Sequence, residues 1–544
     1  MIKLLEKYPV LSICLLVAIM LIPNIDSLNV TIMEARNFIT AREMVADGNW
    51  LLPTMNGEAR YQKPPLPTWL TAISSLIFGL KSLLGLRLPA IFMVMIVGSY
   101  IYKISNCFLN ESLSFVNAMI AITSLYVIAI IVESPWDICT HGFMLIAIFH
   151  LFLLFKKERN HWKHTLFSGL FIGLSFMCKG PISIYALLLP FLLAYGFTFK
   201  YTKIKSKVFS IFSLLIIGFI IGGWWYFYVG LQDPGIFSDI TKKEINNWSS
   251  YETRPFYYYW SFFTQSGLWT IPAFISLLYP YLKNRVSNLK AYKFSLLWTL
   301  FTIILLSIIP EKKSRYLMPV LIPLAINIGF YIDYLIKHFK TLKDKREIMP
   351  VYFNFGLIAF IGISFPVIAY IVLKDTISGY WVWFILVSVA TFSIGVFILI
   401  QLKKKHIKNV FFLSVAFFGT LLIFGLPLSE PITIPNNPIT NLKKEISKQD
   451  LKIYGLNYVA PEIIWQYGDK IPVIKLRGNS FNLPEETQFG MLMLTHGVSK
   501  KDQNLLESLY DIEKVSTYDL NLLTKDSNKY NSRILNHYYI LTKK

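Results

Sequence analysis

Charge is scarce in this chain: Lys, Arg, Asp and Glu make up 16% of its 544 residues, against 54% hydrophobic ones. A water-surrounded globule of that length needs far more polar surface, so a soluble protein is excluded. Cysteine is scarcer still, with Cys14, Cys107, Cys139 and Cys178 all in or beside apolar runs. No metal-ligand spacing surrounds Cys107 and Cys139, so the four read as small core hydrophobes rather than a disulfide framework or zinc site. Apolar/polar alternation is missing from the long runs, which excludes a membrane β-barrel and leaves helices. Internal repeats, low-complexity tracts and a transporter-like pair of interrupted spans are also missing.

What is present is a succession of apolar runs of about 17–25 residues, the length a helix needs to cross a bilayer. Thirteen or so spans are expected, near residues 8–24, 86–103, 112–131, 138–155, 164–178, 181–199, 208–230, 258–282, 293–310, 316–336, 351–373, 380–402 and 409–428. The first follows Lys3 and Lys7 and has no small-residue cleavage site before Asn24, so an uncleaved anchor is expected. The stretch 66–80 is short and close to the next span, and is expected at the interface.

The formal charge of +21 raises nucleic acid as a partner, but the basic residues lie in short clusters between apolar runs. Topology-determining loops explain them, and no nucleic acid is expected. The loops 156–164, 200–207, 283–293, 337–347 and 403–408 each carry four or five Lys/Arg, whereas 133–137 carries none and 374–380 one. The loop PEKKSRY (310–316), with three, is the exception. This alternation orients the N-terminus in the cytoplasm and puts 25–85, 231–257 and the tail outside it. The expected division is a transmembrane domain over 1–429, with 25–85 as its first outer loop, and an extracytoplasmic α/β domain over 430–544. The tail's short β-rich runs are LKIYGL (451–456), KIPVIKL (470–476), FGMLMLT (489–495) and HYYILTK (537–543).

Several outer-face residues could do chemistry. In 31–50, Glu34, Asn37, Ala41 and Met44 recur at helical spacing, with Phe38, Ile39 and Met44 free to face lipid. That describes an amphipathic helix lying on the bilayer. Glu34, near its start, reads either as a carboxylate answering the helix dipole or as a functional acid. Lys63 precedes Pro64-Pro65, a stiff extended doublet, and reads either as a point charge for a lipid phosphate or as a lysine snorkelling to headgroups. Asp137 opens the fourth span, where a charge is costly unless it caps the helix, has a partner or serves function. His141, one turn on, reads as a hydrogen-bonded interior histidine. Lys179 in CKGP, Arg254 in YETRPFYYYW and Arg315 in PEKKSRYLMP set cations beside Tyr257, Tyr258, Tyr259 and Tyr316. Singly these fit an aromatic belt; converging on one face they fit a phosphate-bearing substrate.

The segments MEARNFITAREMVADGNWLLPTMNGEARYQKPPLPTWLTA, CKGP, RPFYYY and KKSRYLMP together resemble the bacterial aminoarabinose transferase and protein O-mannosyltransferase superfamily. The resemblance implies a GT-C fold: a polytopic α-helical membrane protein with a small extracytoplasmic α/β domain. It implies transfer of one sugar from a polyprenyl-phosphate donor to an envelope acceptor, either lipid A, lipopolysaccharide or protein, at the periplasmic face of the bacterial inner membrane and among its lipids, with the C-terminal domain in the periplasm. Residue by residue, Lys63 matches the family's lysine near the donor phosphate, Asp137 its carboxylate at the fourth span, and Tyr316 its later tyrosine. Glu34 matches the second acid of the family's Asp-Glu pair; Met33 stands where the first would be, and Gln62 where relatives often carry Glu. Methionine cannot accept a proton, so either Glu34 or Asp137 takes the base role or the chemistry needs less base assistance. Lys63, with Arg254, Arg315 and Tyr316, would hold donor phosphate; Lys179, Tyr258 and Tyr259 are candidates for substrate contact. A divalent metal bridging Glu34 and Asp137 is the one cofactor the carboxylates leave open. The competing class is a transporter or flippase of polyprenyl-linked glycans.

Overall fold

The computed structural model describes every residue except 1, 157–160, 203, 441, 444–450, 478–479, 482 and 495–499. Parts of the basic loops 156–164 and 200–207, and the end of the 489–495 run, therefore lie outside the described residues. The contacts divide the chain into two compact units, one of residues 1–27 and 61–428, the other of residues 28–60 and 429–544.

The first unit is helical. Among the described residues, eight helices are long and apolar enough to cross a membrane: Leu83–Asn106, Pro135–Lys156, Ile204–Gln232, Leu289–Ile308, Ser314–His338, Lys345–Leu373, Trp381–Lys403 and Ile407–Ile432. A ninth arises if Glu111–Ile122 and Leu125–Glu133, bent by 44° at a short break, are one span. The chain is thus a multi-pass membrane protein. Shorter apolar helices run over Pro9–Leu21, Leu66–Phe78 and Ile184–Thr198.

The expected span 258–282 is not a single helix. It comprises tight 3-10 turns over Phe256–Tyr259 and Phe262–Trp269, then short helices Thr270–Ser276 and Tyr279–Leu282. The break has a local cause: Gly267 adopts φ +65°, and a Cβ there would meet that of Leu125 at 2.8 Å. Hydropathy averaged over a window does not register such a turn.

Helix His161–Lys179 is held against Val208–Gln232 by small residues. A Cβ on Gly169 would lie 2.8 Å from the Leu214 carbonyl oxygen, and one on Gly173 2.6 Å from the Ile221 Cβ. Gly222 on the facing helix meets the Phe176 Cβ in the same way, at 2.9 Å. Glycines spaced by four on both helices let the backbones close in lipid, where apolar burial alone provides little association. The helix stops where Gly180 turns to φ +71° and donates its N–H to the Phe176 carbonyl, followed by Pro181. Lys179 is consequently delivered at the helix C-terminus, the end that favours a cation.

The second unit is built on a five-stranded mixed sheet. With β1 Ile453–Leu456, β2 Val473–Ile474, β3 Gln488–Leu494, β4 Tyr510–Asp519 and β5 Leu535–Lys543, the order is β2-β1-β3-β5-β4. β1 pairs in parallel with β2 and β3, while β5 pairs antiparallel with β3 and β4. Four of these strands fall on the runs expected to be β-rich. β4 does not, because it is an edge strand whose polar face looks outward and leaves no dense apolar run.

Residues 28–60, expected with the membrane domain as its first outer loop, fold with the tail. Helix Ile32–Asp47 starts at Thr31 with a reciprocal cap: the Thr31 hydroxyl accepts from the Glu34 N–H, and the Glu34 carboxylate accepts from the Thr31 N–H. Its apolar side does not face lipid, contrary to the amphipathic-helix expectation. Phe38, Ile39 and Met44 are buried; Phe38 packs on Trp465 with ring centroids 5.3 Å apart, and Ile39 lies in a core with Ile439, Leu442 and Ile463. Periodicity identified the buried face of the helix but could not say that protein, not lipid, covers it.

Candidate functional site

In the helical unit, four of the expected residues meet. Asp137 sits in the first turn of Pro135–Lys156 and is 2% exposed. The Lys179 ammonium donates to its Oδ1. Lys179 Nζ also stands 4.8 Å from the centre of the Tyr316 ring. Lys63, delivered by the Pro64-Pro65 doublet that leads into helix Leu66–Phe78, places Nζ 5.5 Å from the ring of Trp136 and acts electrostatically on Asp137. Aromatic faces beside ammonium groups lower the cost of holding these cations out of bulk water.

The second oxygen of Asp137 is more informative than the first. Oδ2 is buried and has no hydrogen-bond partner among the described residues, and neither do Ser134 Oγ and His141 Nδ1. Ser134 immediately precedes the helix, and Asp137 and His141, four residues apart, lie on one face of its first turns. Buried polar atoms in native proteins are nearly always satisfied, so a group of them marks a place where water or substrate completes the structure.

Tyr316 lies in a 3-10 turn, Ser314–Leu317, just ahead of helix Met318–His338. Its hydroxyl donates to Glu311 Oε1 at 3.0 Å, and Lys313 Nζ donates to the same oxygen at 2.5 Å. The segment carrying them is pinned to residues 252–265. Arg254 N–H donates to the Pro310 carbonyl and Lys312 N–H to that of Glu252, while Tyr259 OH accepts from Lys313 N–H at 2.9 Å and donates to its carbonyl at 3.0 Å. Lys312 turns inward to the Arg254 and Ile309 carbonyls, and burial pushes its ammonium pKa down.

The remaining expected residues are placed differently. Arg315 is half-buried; its guanidinium carbon is 5.7 Å from the Tyr316 ring, and its Nε has no partner among the described residues. The exposed Arg254 side chain pairs with Glu252 at 3.1 Å, so it is the Arg254 backbone that joins the two segments. Tyr257 and Tyr258 are exposed, whereas Tyr259 is buried with its hydroxyl engaged on Lys313. Glu34 belongs to the other unit, fully buried as a helix-capping carboxylate, with Met33 beside it.

Two carboxylates here were not singled out from sequence. Glu311 was masked by the cations around it in PEKKSRY, and the only hint was an acid between a proline and two lysines. Glu133, at the end of the helix that precedes Asp137, accepts a hydrogen bond from Tyr126. As for a metal, Asp137 already carries the Lys179 ammonium, and among the described residues no three His, Cys, Asp or Glu side chains gather to hold an ion. These residues do not fit a metal centre.

Comparison with known proteins follows the same lines. The family described as dolichyl-phosphate-mannose-protein mannosyltransferase matches residues 62–226, a stretch that holds Lys63, Asp137 and Lys179. A Proteus mirabilis protein named undecaprenyl phosphate-alpha-4-amino-4-deoxy-L-arabinose arabinosyl transferase 1 is 24% identical over 450 residues, 79% of this chain and 78% of its own. A Wigglesworthia glossinidia brevipalpis protein named as an arabinosyl transferase of the same kind is 25% identical over 76% of this chain and 74% of its own. Among solved structures, ArnT from Cupriavidus metallidurans in the apo state aligns over 97% of both chains with a TM-score of 0.67 at 15% identity. The same protein bound to undecaprenyl phosphate aligns with a TM-score of 0.66 at 14% identity, again over 97% of both chains. The chain has the GT-C fold of these structures and resembles the aminoarabinose transferases.

Proposed function

We propose that this chain is a membrane glycosyltransferase that moves a sugar from a polyprenyl-phosphate donor to an envelope acceptor at the periplasmic face of the inner membrane. The observation that carries this reading is the buried Asp137–Lys179 pair beside Lys63 and Tyr316, in a chain with the fold of a protein solved with undecaprenyl phosphate bound. The acceptor is a lipid A or lipopolysaccharide group or a protein side chain. The names of the relatives favour a pentose, 4-amino-4-deoxy-arabinose, over a hexose.

The donor's phosphate is itself the leaving group, so the protein has to orient it and offset the charge that develops on it. Lys63 and Arg315 are the cations placed to do so. Asp137 is held by Lys179 through Oδ1, which leaves Oδ2 to receive the acceptor's hydroxyl or to orient its phosphate. Positioned proton acceptance of this kind contributes about 10²–10⁴-fold to a rate. Direct displacement inverts the anomeric carbon. Glu34 is taken up by its own helix cap, which makes Asp137 the stronger choice for the base.

The test uses purified protein and a polyprenyl-phosphate sugar radiolabelled in the sugar. A transferase releases polyprenyl phosphate and passes the label to lipid A or to envelope protein. Label that remains on the polyprenyl carrier while changing leaflet in proteoliposomes would instead identify a flippase.

A further inference from the structure

Around Tyr316, the positive charges of Lys179, Lys313 and Arg315 face the negative charges of Asp137 and Glu311, so cations exceed anions by one. The two acids are not equivalent. Asp137 is fixed deep in a helix, whereas Glu311 projects from the loop ahead of Tyr316 and brings one oxygen to two donors at once, Lys313 Nζ and Tyr316 OH. Converging an ammonium and a phenol on a single anionic oxygen is the arrangement a phosphate oxygen also demands. The backbone behind these donors is rigid, because Tyr259 grips both the N–H and carbonyl of Lys313 and Gln265 donates to the Ser314 carbonyl. The backbone that carries the donors is therefore held independently of Glu311. Beside them, Arg315 Nε is buried and has no partner among the described residues.

We infer that Glu311 occupies a built-in anion site, formed by Lys313 and Tyr316, that the phosphate of the polyprenyl donor takes by displacing it. This rests on the proposed transferase reading and adds to it a phosphate ligand, Lys313, and a residue that sets donor affinity, Glu311. Lys313 is already turned toward the Tyr251 ring at 4.6 Å, so its ammonium has an aromatic wall on one side and the anion on the other. While Glu311 sits in the site, every binding event has to break the Lys313–Glu311 pair, and the apparent affinity for donor falls by the fraction of time the site is closed. Such a device lets the same site release polyprenyl phosphate once the sugar has left. No bond is made or broken in the exchange; one anion replaces another.

The experiment measures binding of undecaprenyl monophosphate to the full chain in detergent. Glu311→Gln removes the competing charge and keeps the side-chain shape, and it is expected to tighten binding at least about fivefold, the lower end of ordinary coupling between sites. Adding Lys313→Gln to that variant is expected to cancel the gain. Equal or weaker binding by E311Q would overturn the inference and leave Glu311 as a structural brace for Tyr316. If the unmodified protein itself binds no undecaprenyl monophosphate, the transferase reading fails first, so the two failures are distinguishable. Should E311Q fold poorly, K313Q alone decides: weaker binding supports the site and unchanged binding removes it.

Discussion

Asp137→Asn is expected to abolish sugar transfer, with a loss of at least about 100-fold in turnover at saturating donor, the lower end of what positioned proton acceptance contributes. Asparagine keeps the shape of the side chain and can still accept from Lys179, so the helix start and its packing survive. What it loses is the second anionic oxygen, Oδ2, which is buried, unpartnered among the described residues, and on the same helix face as His141. The variant is expected to elute as a folded protein with a lowered thermal midpoint, because the Lys179 ammonium loses its counter-charge, and to bind undecaprenyl monophosphate within a few-fold of the unmodified protein, because Lys63, Arg315 and Tyr316 are untouched. Activity is read as release of radiolabelled sugar, and retention of full turnover would remove Asp137 from the chemistry.

Lys179→Met has the larger expected effect on stability. Lys179 and Asp137 side chains are 11% and 3% exposed, so removing the cation strands an anion in the interior. Breaking one partner of a buried pair costs about 3–5 kcal/mol, because the other charge is left without compensation. The expectation is a substantially lowered thermal midpoint in detergent for K179M. It is expected to be largely restored in the double variant K179M/D137N, where no charge is stranded. If the single and double variants melt alike, the pair contributes little and Lys179 is better understood as a substrate contact. The two substitutions touch the same partner, so their effects should be strongly non-additive.

The membrane part was legible because lipid imposes a harsh rule: an uncharged run of sufficient length has few other fates. The site was legible to a lesser degree. Lys63, Asp137, Lys179 and Tyr316 each looked out of place for a distinct reason: a lysine on a stiff proline segment, an acid opening a span, a lysine before Gly-Pro, a tyrosine behind a basic loop. The structure places the last three in direct contact, with Lys63 beside them on Trp136. Glu311 was hidden because net charge, which drew attention to the lysines and Arg315 around it, says nothing about which ion pairs form. The covering of Phe38 and Ile39 was hidden for a related reason. An amphipathic pattern reveals that a face is buried, but lipid and the aromatic ring of Trp465 satisfy that pattern equally well. The broken stretch 258–282 shows the limit of hydropathy, since a single left-handed glycine redirects a run whose average composition would span.

Everything proposed about the chemistry requires Lys63 and Asp137 to face away from the cytoplasm, and labelling in spheroplasts measures this directly. In a background with the four native cysteines replaced by alanine, Glu58→Cys and Lys343→Cys each offer an exposed thiol, one in the long excursion before Lys63 and one in the most basic loop. A membrane-impermeant maleimide is expected to modify E58C in intact spheroplasts and K343C only after permeabilisation. Modification of K343C from outside, with E58C protected, would place the Asp137–Lys179 pair on the cytoplasmic side and contradict the proposed reaction.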